Sequence, residues 1–174
     1  MFKRAKNAVK QVQNGVKHSR LKETDMADVV FSVDVKCQSP TCAEAQARGF
    51  TFKVDEPEQL GGTNAGPNPV EYVIGAYAGC LNVVGHMAAK ELGFDIQNLH
   101  IHVEGSLDPA GFMGQDPNVR PGYKEIRVKF NIKTDAPKET LDKWLDIVGK
   151  RCPVGDNLRN PTPITTTMEI SKPM

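Results

Sequence analysis

Apolar and polar residues alternate along several stretches of this chain and recur at a helical period along two others. "DVVFSVDV" (Asp28–Val35) alternates as a half-buried strand does. "GFTFKVDEP" (Gly49–Pro57) predicts a second strand, with Phe50, Phe52 and Val54 opposite Thr51 and Lys53. Between them, "KCQSPTCAEAQARG" carries turn residues and reads as an elaborated hairpin connection. "LHIHVEGSLD" (Leu99–Asp108) puts Leu99, Ile101 and Val103 on one strand face, which leaves His100, His102 and Glu104 to solvent. After the long connection "PAGFMGQDPNVRPG", the segment "YKEIRVKFNIKTD" (Tyr123–Asp135) returns as another strand, and "ITTTMEI" predicts a last one.

The loop "LGGTNAGPNP" ends where a helix can begin, with Asn68 as N-cap and Pro69 at the first helical position. The helix from Pro69 to about Leu92 is apolar on nearly every face for four turns, the pattern of a buried helix. Gly75 and Gly79 lie one turn apart and permit close approach of another backbone, and Gly93 supplies a C-cap. "APKETLDKWLDIVGKRC" is amphipathic, with Asp135 as cap and Pro137 in the first turn. Its stripe runs through Leu141, Trp144, Leu145 and Val148 and extends to Cys152. Runs of strands interrupted by one buried and one amphipathic helix indicate an α+β fold rather than a doubly wound one.

At 174 residues the chain is read as a basic N-terminal arm over residues 1–26 and one domain over 27–174. Its net charge of +1 implies no polyelectrolyte partner, nucleic acid included. The seven Lys and Arg residues ahead of Glu23 are read as a solvated arm. No signal-peptide core and no transmembrane span is read from the hydropathy, so the expectation is a soluble protein outside membranes. The four cysteines, Cys37, Cys42, Cys80 and Cys152, are too scattered for a disulfide framework, and free thiols point to a reducing cytoplasm.

Those cysteines are the candidate chemistry. Cys80 sits about three turns inside its helix, too far from the N-terminus for the dipole to activate it. Taken alone, such a residue is a small hydrophobe, and a reactive Cys80 needs a cation supplied from elsewhere in the fold. Glu71 lies nine residues earlier, on the opposite helix face and about 13 Å away along the axis. The two cannot share a site within one straight helix, so a joint role requires a second copy of the chain. Cys80 and Cys152 both occupy core-facing helix positions and could meet; a peroxidatic and a resolving thiol would then be paired. Cys37 and Cys42 supply at most two of the four ligands of a structural zinc site, with His100, His102 and Glu104 as distant candidates to complete one.

Taken together, "NPVEYVIGAYAGC", "VEGSLDPAGFMGQDPNVRPGYKEIRV" and "KRCPVGDNLRNPTP", in this order, resemble the OsmC/Ohr family over about Gly49 to Ile170. The resemblance implies an OsmC-like fold in which two intertwined chains wrap curved antiparallel sheets around paired central helices. It implies a thiol peroxidase that reduces organic hydroperoxides without a cofactor, Cys80 being peroxidatic and Cys152 resolving. It implies that Glu71 pairs with an arginine beside the peroxidatic thiolate, and that a dithiol reductant, in the family typically a lipoylated protein, reopens the disulfide. For the arginine, Arg20 in "HSRL" is preferred because some relatives carry a similar stretch; Arg48 and Lys53 are the alternatives. The competing expectation is a non-catalytic dimer of the same fold that binds an apolar ligand or a metal.

Overall fold

The computed structural model describes residues 28–172. Its organising element is helix α1 (Pro69–Leu92), whose start is fixed by a capping box. The Asn68 side chain accepts from the Glu71 N–H at 2.9 Å, and the Asn68 N–H donates to Glu71 Oε2 at 2.8 Å. At the other end Gly93 adopts φ 76°, a left-handed conformation that glycine takes without Cβ strain, and its N–H closes on the Ala89 and Lys90 carbonyls.

Strands β1 (Asp34–Cys37), β2 (Cys42–Ala47) and β3 (Phe50–Asp55) form an antiparallel meander in the order β1-β2-β3. The segment expected as a connection therefore contains a strand. Ala, Glu and Gln are weak strand formers, and β2 owes its conformation to ladders on both sides rather than to its own preference. The first expected strand is shorter than its pattern: only Asp34–Cys37 pairs, and Val29, Val30 and Phe31 lie exposed. "ITTTMEI" forms no strand either, and Ile164, Met168 and Ile170 are exposed. Alternation selects a strand only where a neighbour offers hydrogen bonds, and among the described residues neither segment has one.

Strands β4 (Asn98–Ser106) and β5 (Glu125–Lys133) pair antiparallel over all nine residues. Leu99, Ile101, Val128, Phe130 and Ile132 turn inward, while His100, His102 and Glu104 face solvent as expected. A one-turn helix α2 (Pro109–Phe112) interrupts the long connection between them. Helix α3 (Lys138–Arg151) starts after Pro137 as N-cap, not Asp135, whose carboxylate instead accepts from Gln97 Nε2. Pro153 ends α3 and also opens a further helix, α4 (Pro153–Arg159), with Cys152 as its N-cap.

Leu81, Ala88 and Ala89 of α1 pack with Trp144, Val148 and Cys152 to form the core. Trp144 locks the crossing: its Nε1 donates to the Gly85 carbonyl at 2.7 Å, and its rings meet Phe130 edge-on at 5.3 Å. By length and composition α1 also matches a membrane span, contrary to the hydropathy expectation; its stripe of core contacts is that of a domain's central helix. That stripe covers one side only, and the expectation of a helix buried all round is not met within one chain. Trp144→Ala is predicted to cost about 3–5 kcal/mol in urea unfolding, through a large cavity and the loss of the indole hydrogen bond to the Gly85 carbonyl. A cost below about 1 kcal/mol would show that the crossing is held by something else.

Candidate active site

Cys80 and Cys152 meet. Their Sγ atoms lie 2.9 Å apart as free thiols, with Cys152 donating to Cys80. Helix geometry supplies both partners: Cys80 follows from the small-residue run of α1, and Cys152 ends the apolar stripe of α3 one turn beyond Val148. Cys152 is fully buried, Cys80 only partly. Burial pushes the Cys152 thiol above its ordinary value, and the hydrogen bond to Cys80 adds to this. Backbone N–H groups of the first turn of α4 oppose the shift, Gly155 first and Val154 after it; the Gly155 N–H reaches Cys152 Sγ at 3.2 Å.

Gly155 and Tyr77 complete this arrangement and were not singled out in the sequence. Tyr77 stands one turn before Cys80 and rests against Gly155, where an added Cβ would come within 2.8 Å of its ring. A side chain at position 155 would displace either the ring or the turn that carries the Cys152 donor. The signals were present but easily misread: a Tyr at the i−3 position shares the Cys80 face, and Cys-Pro is as much a helix start as a helix stop. Tyr77 also divides two hollows. One, of about 600 Å³, is floored by Leu81 and Val148 and walled by Val128, Phe130 and Trp144. The other, of about 550 Å³, is lined by Val70, Val73, Leu158 and Arg159.

The remaining candidates do not join the sulfurs within one chain. Glu71 is exposed and engaged in its capping box at the far end of the helix segment, as the nine-residue spacing required. Arg48 occupies the β2–β3 turn at φ 55° with its guanidinium 5.1 Å over the Phe50 ring. Lys53 is exposed on β3. Among the described residues, no lysine or arginine hydrogen-bonds to either sulfur. Arg20, the preferred cation, lies outside the described residues. Arg151, beside Cys152 in sequence, is exposed and pairs with Glu91 at 2.6 Å. Cys37 and Cys42 sit on opposite faces of the meander, one exposed and one buried, because Cys37 pairs with Ala43. Among the described residues no three potential ligands gather into a metal site, and His100 and His102 stay on the solvent face of β4.

The approach to α1 is held by Asp55, buried at the end of β3. Its carboxylate accepts from the Thr63 hydroxyl at 2.6 Å and from the N–H groups of Ala65, Thr63 and Glu56. These bonds, the Thr63 hydroxyl first, lower its pKa from 3.8 to about 2. A depressed carboxylate contributes stability above its unfolded pKa and loses it as pH falls from about 4 to about 2. In urea titrations Asp55→Asn should therefore be less stable than the parent at neutral pH, with the gap closing below about pH 4. A gap independent of pH would exclude the carboxylate's role in fastening this loop.

A family model described as OsmC-like protein matches residues 62–167, which span α1, the β4–β5 ladder and both cysteines of the pair. The fold is similar to that of an OsmC-like protein from Mycoplasma pneumoniae, with a TM-score of 0.67 at 20% identity over 78% of this chain and 91% of that one. It is similar to an organic hydroperoxide resistance protein OsmC from Legionella pneumophila, with a TM-score of 0.59 at 17% identity over 77% and 92%. The organic hydroperoxide resistance protein OhrB of Bacillus subtilis aligns with a TM-score of 0.51 at 18% identity over 76% and 93%. At these identities the likeness is one of fold. Among curated proteins none matches.

Proposed function

The chain belongs to the OsmC-like family, and from that premise we propose that it is a soluble, cysteine-dependent peroxidase of the reducing cytoplasm that converts organic hydroperoxides to alcohols. The observation that carries the reading is the 2.9 Å approach of Cys80 and Cys152 Sγ. Two solved neighbours are described as organic hydroperoxide resistance proteins, which agrees with it. The Cys80 thiolate attacks the distal peroxide oxygen; the O–O bond breaks, and the departing alkoxide takes a proton to become the alcohol. Cys80 is left as a sulfenic acid. The Cys152 sulfur then attacks Cys80 Sγ, hydroxide leaves with the Cys152 proton as water, and a disulfide forms. A disulfide needs sulfurs about 2 Å apart, so the pair closes with a shift of about 1 Å. A dithiol reductant, a lipoylated protein by family resemblance, returns two electrons and two protons. The apolar hollow beside Leu81 and Val148 suits the carbon body of an organic hydroperoxide.

The working form in this reading is a homodimer. Val83 and Met87 of α1 are each 58% exposed, and together with Val73, Ala76 and Cys80 they repeat at alternating steps of three and four. That is the seam by which one helix packs on another. The strand-patterned segments 28–33 and 164–170, exposed and without a strand partner among the described residues, offer a second copy further surface. A second chain also answers the geometry of Glu71, which would serve the Cys80 of its partner with Arg20 as the intervening cation.

Treating the reduced protein with one equivalent of an alkyl hydroperoxide should give an intact mass lower by two hydrogens. Cys152→Ala should instead gain one oxygen, and Cys80→Ala should not change. Thiols that stay reduced would end the peroxidase reading. Arg20→Ala should slow oxidation of Cys80 by roughly ten- to a thousandfold at neutral pH, the range one neighbouring charge moves an ionisation. Stopped-flow consumption of the peroxide reads the rate, and an unchanged value would return the cation role to Arg48 or Lys53.

A further inference from the structure

The reduction of the proposed disulfide has two possible starting points, because an incoming thiolate can attack either sulfur. Displacement at sulfur is in-line: the nucleophile arrives opposite the bond that breaks. To attack Cys152 Sγ it must come from the side away from Cys80. There Cys152 is fully buried, in the corner where α3 turns into α4, among Val148, Trp144 and the Gly155 turn. Tyr77 closes that corner by resting on Gly155, with too little room for even a methyl group between them. Attack on Cys80 Sγ comes from the side away from Cys152. Within one chain Cys80 is the partly exposed sulfur of the pair and Cys152 the fully buried one. The peroxidase reading requires that a substrate reach Cys80 in the assembled protein and requires no such access to Cys152.

The departing group differs between the two routes as well. When Cys152 leaves, its sulfur receives the electron pair where the Gly155 N–H already points at it from 3.2 Å. Cys80 has no such donor among the described residues; its one hydrogen bond is to Cys152 itself. Access and leaving-group stabilisation favour the same route.

We infer that the dithiol reductant attacks Cys80, not Cys152, so one sulfur faces both the peroxide and the reductant while Cys152 remains an internal relay. This rests on the peroxidase reading for its place in a cycle, though not for its geometry. The reductant thiolate bonds to Cys80 Sγ, the Cys80–Cys152 bond breaks, and the Cys152 thiolate is protonated. The reductant's second thiol then attacks its own sulfur in the mixed disulfide, releasing Cys80 and leaving the reductant oxidised. Tyr77 is a positioning residue in this scheme, since it holds the Gly155 turn and shuts the route to Cys152.

The full-length protein with Cys37→Ser, which removes the exposed thiol, is oxidised with diamide so that no peroxidase activity is needed. It is then mixed briefly with glutathione, quenched in acid, alkylated and mapped by mass spectrometry. Glutathione should sit on Cys80 and the alkyl group on Cys152, by at least about tenfold over the reverse. Glutathione chiefly on Cys152, an even split, or failure of diamide to join the two cysteines would overturn the inference. A chain that gives the Cys80 adduct after diamide yet ignores alkyl hydroperoxide would keep this inference and lose the peroxidase reading.

Discussion

Two sulfur atoms 72 residues apart in sequence lie 2.9 Å apart because α3 crosses α1 at one fixed depth and angle. The crossing is set by Trp144, which fills the space beside the helix and ties its indole to the Gly85 carbonyl. Val148 and Leu81 pack within a turn of the two cysteines, so the contact that stabilises the core also aligns the thiols. Chemistry and stability here are properties of the same packed layer. A sulfur pair on loops would lose entropy in finding one another; this pair is already assembled.

The second feature of the molecule is that one chain leaves its surface unfinished. The central helix covers one side and leaves an apolar seam, and among the described residues two strand-patterned segments have no neighbour. Glu71 is directed by helix geometry away from the cysteine it accompanies in sequence. Each fact is costly for an isolated chain and ordinary for one half of a dimer. In the proposed reading, the same second chain or Arg20 supplies the cation for Cys80. The described residues bring none into contact with either sulfur.

Much of this was legible in the sequence where the determinant is local. Asn68-Pro69 and Gly93 mark the ends of α1 because capping depends on a few adjacent residues. The Leu141–Trp144–Val148 stripe placed Cys152 toward the core because side-chain direction follows the helical period. The errors occur where partners decide. Strand β2 is made by its neighbours and was read as a connection, whereas Asp28–Val33 and "ITTTMEI" have strand patterns without a neighbour in the described chain. Helix α4 is not marked by any apolar period, and Cys-Pro serves equally to end one helix and to start another, so the Gly155 donor and the Tyr77 contact are not legible in the sequence. The family, by contrast, was readable from motif order alone, and the OsmC-like match over residues 62–167 agrees.

The central claim is that Cys80, aided by Cys152, is built to react with organic hydroperoxides. The direct measurement is the second-order rate constant of the reduced protein with cumene hydroperoxide and with hydrogen peroxide, followed by stopped-flow under identical conditions. The account predicts a reaction far faster than that of free cysteine, and faster with cumene hydroperoxide than with hydrogen peroxide, because the hollow beside Leu81 and Val148 is largely apolar. Rates no greater than those of free cysteine for both peroxides would contradict it.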